Sequence, residues 1–154
     1  MKSVTNIERQ ANPMKTNPEA ISLIKEFEGL KLKPYADLGG KMTIGWGHLI
    51  KPGERFSSIT TAQAEAIFQK DLLDAERVVT RKVRVKLTNN QFSALVALAF
   101  NIPKAFGNTT LVEVLNALRF DDTPEQMLRW HRMGKKPVKG LIRRRAAEAM
   151  LFVS

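Results

Sequence analysis

Residues 30–49 break the pattern of this chain. The stretch LKLKPYADLGGKMTIGWGHL is too glycine-rich for a good core element and too rich in strand formers for a plain loop. Gly39-Gly40 predicts a turn, with Lys41-Met42-Thr43-Ile44 as a strand beyond it. Ahead of it, Asn17 as N-cap and Pro18 at the first helical position predict a helix. Ile21, Ile24 and Phe27 form its apolar stripe and Gly29 stops it. Downstream the reading is helical throughout. Thr60 with Gln63, Thr88 with Gln91 and Thr110 with Glu113 each carry a capping-box signature ahead of apolar residues at helical spacing. Thr123-Pro124-Glu125-Gln126 opens another helix, and Leu141 to Phe152 reads as a basic amphipathic one.

The predicted fold class is therefore α+β, predominantly helical. Residues 1–16 read as a mobile arm, and residues 17–154 as one domain. Within it, 17–58 form a small lobe built on a β-hairpin, 59–80 a long connecting helix and 81–154 a helical C-terminal lobe.

Composition narrows the chemistry. The chain has no cysteine, which excludes a thiol nucleophile and a disulfide scaffold, and two isolated histidines do not suggest a zinc site. No apolar run approaches the ~20 residues of a membrane-spanning helix, and the polar N-terminus lacks the apolar core of a signal peptide. Synthesis in a cytoplasm is the resulting expectation. The formal charge of +10 is concentrated: Arg77–Lys86 holds five basic residues and no acid, Arg129–Arg145 eight and no acid. Such a surface attracts polyanions, although solubility and helix C-terminal charges account for much of it.

Glu28 and Asp37 stand nine residues apart, with Thr43 six further on, in a stretch that holds five glycines between Gly29 and Gly47. Two carboxyls in different environments are the minimum equipment for hydrolysing a glycosidic bond. Glu28 continues the stripe of Ile24 into the last helical turn, where partial burial and the negative helix end both favour the protonated form, that of a proton donor. Asp37 sits in a polar turn open to water. Each has a plain alternative: a surface glutamate, an aspartate capping its own turn, a β-branched strand residue. Their coincidence on one hairpin is the argument.

Glu28, Asp37, Thr43 and Gly45-Trp46-Gly47-His48 together resemble the active-site segment of the phage-type lysozymes, the endolysins of glycoside hydrolase family 24. The resemblance runs over about residues 18–153 and includes Ala99-Phe100-Asn101, the Trp130 region and Gly140 to Arg145. The chain departs from the family pattern at Pro103, where many members carry glycine, which bears on the local cleft wall. The resemblance implies a lysozyme-like two-lobed fold and a muramidase that hydrolyses the β-1,4 bond between N-acetylmuramic acid and N-acetylglucosamine in peptidoglycan, for host cell lysis. It implies Glu28 as general acid, Asp37 as the group that activates or orients the attacking water or stabilises the oxocarbenium-like centre, Thr43 helping to hold that water, and an inverting outcome. Leu49, Phe100 and Asn101 become candidate cleft-lining residues, with core packing the plainer reading of Leu49 and Phe100. It implies no cofactor or metal, a monomer, and a holin-type membrane permeabilisation that gives access to the wall. By the same resemblance His48 reaches Asp71 on the connecting helix and is structural.

Other classes compete. A lytic transglycosylase would use one glutamate on the same bond, and the presence of Asp37 and Thr43 favours hydrolysis. A basic nucleic-acid-binding module is suggested by charge alone, without a recognised motif. A wall-binding protein that has lost catalysis is opposed by the intact Glu28. Arg143–Arg145 beside Leu141, Ile142, Met150 and Leu151 would suit anionic lipid or envelope polymers. The plainer expectation there is a packed apolar side with solvated arginines. Trp130 reads as core, with sugar stacking the alternative.

Overall fold

The first helix, α1 (Pro18–Glu28), is capped as its sequence dictates: Asn17 accepts from the Ala20 backbone N–H and Pro18 occupies the first turn. Gly29 ends it at φ +69°, donating its N–H to the Lys25 carbonyl, a left-handed geometry that costs a glycine little. Glu28 is thereby the last helical residue, at the point where the chain turns into the sheet. This computed structural model describes residues 14–154, so most of the expected arm (1–16) lies outside the described residues. Two of its last three residues, Met14 and Thr16, are packed. Met14 lies against the core, and Thr16 donates both its N–H and its hydroxyl to Glu76 Oε2 at 2.8 Å.

The small lobe is a three-stranded antiparallel sheet of β1 (Lys31–Ala36), β2 (Met42–Gly45) and β3 (His48–Leu49), in that spatial order. Its register puts Tyr35 opposite Thr43 and Thr43 opposite Leu49, one cross-strand row over three strands. The turn between β1 and β2 is held by Asp37, whose backbone N–H donates to the Lys41 carbonyl at 2.9 Å.

The connecting helix, α2 (Thr61–Lys82), and the central helix, α3 (Asn89–Asn101), both start with complete capping boxes, Thr60 with Gln63 and Thr88 with Gln91. Every residue of α3 from Phe92 to Ala99 is buried, the signature of a helix enclosed on all sides. The core around it draws on Ile24, Phe68, Leu95, Leu98, Phe106, Leu111 and Phe152.

Two expectations fail. Thr110 does not form a third box: α4 (Thr110–Asn116) has Thr109 as N-cap, and neither threonine caps through its side chain. Thr109 instead donates its hydroxyl to the Ala105 carbonyl at 2.6 Å, serving the preceding 3-10 turn, Pro103–Phe106. The C-terminal lobe is not all helical either. Between α5 (Thr123–Leu128) and α6 (Lys139–Val153) stands a two-stranded hairpin, β4 (Arg132–Met133) and β5 (Lys136–Pro137). Gly134 turns it at φ +60°, and Pro137 cannot continue a helix.

Candidate active site

Between the sheet and the helical lobe lies a cleft of about 380 Å³. Glu28, Asp37, Thr43, Leu49, Phe100 and Asn101 all line it, with Tyr35 and Pro103. The end of α1, the β1–β2 turn, all three strands of the sheet, the connecting helix α2 and the C-terminal end of α3 each deliver part of this wall.

The side-chain hydrogen bonds differ from group to group. Asp37 is a turn-former, as its plainer reading had it: Oδ1 accepts from the backbone N–H groups of Gly39 at 2.9 Å and Lys41 at 2.8 Å. Oδ2 has no partner among the described residues, so the same carboxylate keeps an acceptor for the cleft. Thr43 is buried and donates its hydroxyl to the Lys41 carbonyl at 3.0 Å, which leaves its oxygen as an acceptor only. Leu49 is exposed in the cleft, not packed in the core. Phe100 meets Phe68 with ring centroids 5.5 Å apart, so it is both cleft wall and core. Trp130 is partly buried against the core, as its first reading had it.

Glu28 is held by a residue that sequence reasoning assigned elsewhere. Arg144, buried on α6, donates from Nη1 to Glu28 Oε1 at 2.6 Å. It also donates from Nε to Glu148 Oε2 at 3.3 Å. Arg145, fully buried, gives Nη2 to Asn101 Oδ1 at 2.9 Å and to Glu148 Oε2 at 3.1 Å, and stands 2.7 Å from Glu148 Oε1 through Nε. A charged chain thus runs from Glu28 through Arg144, Glu148 and Arg145 to Asn101. Burial pushes the Glu148 carboxyl up, against the pull of Arg145 and then Arg144. The expectation of solvated or lipid-facing arginines therefore fails for Arg144 and Arg145, and only Arg143 of the three is exposed. The missed signal was periodic: Leu141, Arg145, Glu148 and Phe152 recur at helical spacing, so the ion pair falls on the apolar stripe.

His48 does reach Asp71. Its Nδ1 lies 2.7 Å from Asp71 Oδ2, and its Nε2 lies 2.9 Å from Glu54 Oε1, an unforeseen second partner. The imidazole ties the sheet to α2. Burial pushes Asp71 above the usual carboxylate range, with the His48 hydrogen bond opposing it. Glu54 is held below that range by the Lys51 N–H first and His48 second. Tyr35 also went unremarked. Burial raises its phenol first, then Glu28, then Asp37, which puts it in the field of both carboxyls.

Among the described residues no cluster of three or more metal-ligating side chains occurs, and no helix is long and apolar enough to cross a membrane. With this geometry in hand, the likeness to known proteins is informative. The phage lysozyme family model matches residues 25–148. The chain is 36% identical over 148 residues to the endolysin of Acyrthosiphon pisum secondary endosymbiont phage 1, covering 92% of this chain and 99% of that protein. It is 38% identical over 144 residues to the endolysin of Bacillus phage PZA, where 92% of this chain spans 56% of that longer protein. Among solved structures, the muramidase domain of SpmX from Asticcacaulis excentricus superposes with a TM-score of 0.80 at 33% identity, covering 92% of this chain and 99% of that one.

Proposed function

The chain belongs to the phage lysozyme family and is an endolysin of the muramidase type, and on that premise we propose that Glu28, Asp37 and Thr43 carry its reaction. The substrate is the glycan of bacterial peptidoglycan, and the bond hydrolysed is the β-1,4 link from N-acetylmuramic acid to N-acetylglucosamine. Protonated Glu28 donates to the glycosidic oxygen as the bond to the anomeric carbon breaks. The attacking water sits between two acceptors, Asp37 Oδ2 and Thr43 Oγ1.

The observation that carries this reading is the spent hydrogen bonding of those two groups. Thr43 donates its hydroxyl to the Lys41 carbonyl and Asp37 has committed only Oδ1. Both then accept from a water, which turns its lone pair toward the sugar, while Asp37 removes the proton released on attack. A water placed opposite the departing oxygen inverts the anomeric centre. Asn101 is a substrate contact through its amide Nδ2, because Oδ1 is taken by Arg145. Leu49 and Phe100 supply apolar wall to the sugar rings.

The test is turnover of purified peptidoglycan by wild type, Glu28→Gln and Asp37→Ala, with the products analysed at the reducing end. Both variants should lose activity by a factor of about 100 or more. A fully active Glu28→Gln would overturn the acid, a fully active Asp37→Ala the water-handler, and an anhydro-sugar product the hydrolysis itself.

The further biology rests on the same premise. The protein acts as a monomer, is made in the host cytoplasm, and reaches the wall after a holin-type partner has opened the membrane. Residues 17–58, 59–80 and 81–154 are taken as the small lobe, connecting helix and helical lobe. The exposed cations from Arg129 to Arg143 are suited to an anionic envelope polymer.

A further inference from the structure

Glu28 has two carboxylate oxygens, and the fold treats them differently. Oε1 accepts the short bond from Arg144 Nη1, so one face of the carboxyl is fixed by a buried cation. Oε2 has no hydrogen-bond partner among the described residues. It lies instead against the backbone of Gly47, the second glycine of Gly45-Trp46-Gly47-His48. A β-carbon built on Gly47 would overlap Glu28 Oε2 and Cδ, and would come within 3.0 Å of Cγ. Gly47 also sits at φ +77°, which disfavours any L side chain, and it lines the cleft with Glu28.

From this we infer that Gly47 is a positioning residue for the acid: its bare α-carbon keeps Oε2 of Glu28 open to the cleft, so Oε2 is the oxygen that carries the proton to the glycosidic bond. The inference rests on the reading of Glu28 as general acid. An oxygen already accepting from a guanidinium is the poor site for a proton, and the free oxygen is the good one. In the reaction the Oε2–H bond breaks, the glycosidic oxygen gains that proton as it leaves the anomeric carbon, and Glu28 remains as a carboxylate bound to Arg144. Any side chain at position 47 occupies the space of Oε2 and turns the carboxyl out of this geometry.

Positive φ alone also strains an alanine, so the test pairs two glycines. Gly53 has φ +90° with nothing within 4 Å of a built β-carbon, and it is no part of the cleft. Gly53→Ala reports backbone strain only, whereas Gly47→Ala reports strain plus collision with Glu28. On solubilised peptidoglycan strands, Gly47→Ala should lower kcat about 100-fold with KM within a factor of two, as a misplaced reacting group does. Gly53→Ala should keep both constants.

A thermal double-mutant cycle covers the case of a poorly folded single variant. Gly47→Ala should lower Tm by at least about 3 °C more in the wild-type background than in Glu28→Ala. In Glu28→Ala it should cost no more than Gly53→Ala does. Gly47→Ala with wild-type kcat, or with the same Tm cost in both backgrounds, overturns the inference. Glu28→Gln, assayed in parallel, separates the two failures. An inactive Glu28→Gln beside an active Gly47→Ala refutes only the role of Gly47, and an active Glu28→Gln refutes the acid itself.

Discussion

Arg144→Met isolates what the C-terminal helix does for the site. The methionine keeps most of the aliphatic stem and its volume, so the cavity term is small and the charge is what is lost. The Arg144 side chain is 4% exposed and that of Glu28 15%, so the pair is shielded from water. Removing the cation takes from Glu28 its hydrogen-bond donor and from Glu148 one of two guanidinium partners. Breaking a buried pair on one side costs about 3–5 kcal/mol, because the surviving charge stays in place without compensation. The partial exposure of Glu28 puts the expected loss at the lower end, about 3 kcal/mol. For a chain of this size that is a fall in Tm of about 6–12 °C. Activity should fall further than stability explains. With Oε1 released, the carboxyl swings, and kcat on peptidoglycan should drop about 10- to 100-fold at a temperature where the variant is fully folded. Arg143→Met is the control, one residue away and exposed, and should stay within about 0.5 kcal/mol with full activity. Circular dichroism melts and initial rates decide. An Arg144→Met variant that melts and turns over like Arg143→Met would refute the claim that this ion pair holds the acid.

Asp71 and Glu54 flank the same imidazole and should give pH dependences of opposite sign. Asp71 has a folded-state value raised by burial, so its contribution is fully present below its unfolded value and is lost as pH rises through the folded one. The stability advantage of wild type over Asp71→Asn in urea titrations should therefore shrink from pH 3.5 toward neutrality, and a flat difference would refute it. Glu54 has a folded-state value lowered by the Lys51 N–H and His48, so its contribution is present above its unfolded value and lost as pH falls through the folded one; the advantage over Glu54→Gln should shrink toward acid. The capping boxes make a sharper pair. Thr88→Ala should cost about 1 kcal/mol in chemical denaturation and Thr110→Ala less than about 0.5 kcal/mol, since only Thr88 caps a helix through its side chain. Equal costs would contradict that assignment.

What the sequence discloses and what it hides divide along a physical line. Helix starts and stops are local, so Asn17-Pro18, Gly29, Thr60 and Thr88 were legible, and with them the position of Glu28 at a helix end. The box at Thr110 misled because the N-cap falls one residue earlier, at Thr109, which puts Glu113 out of register for a box, and the Ala105 carbonyl claims the Thr109 hydroxyl that could have capped. Contacts across long sequence separations carry no local signature. The bond from Arg144 to Glu28 spans 116 residues, and nothing near either residue announces it. A run of three arginines looks like a solvated or membrane-facing surface because burying a guanidinium is costly by itself. The cost is offset here only because Glu148 and Glu28 meet those arginines inside, so the charge that looked like an outward face is an inward clamp. Two acids and two arginines bury each other, and the acid at the cleft end of that chain keeps one free oxygen. The Glu28 carboxyl built this way is held by the last helix of the chain, although its sequence motif lies wholly in the first third.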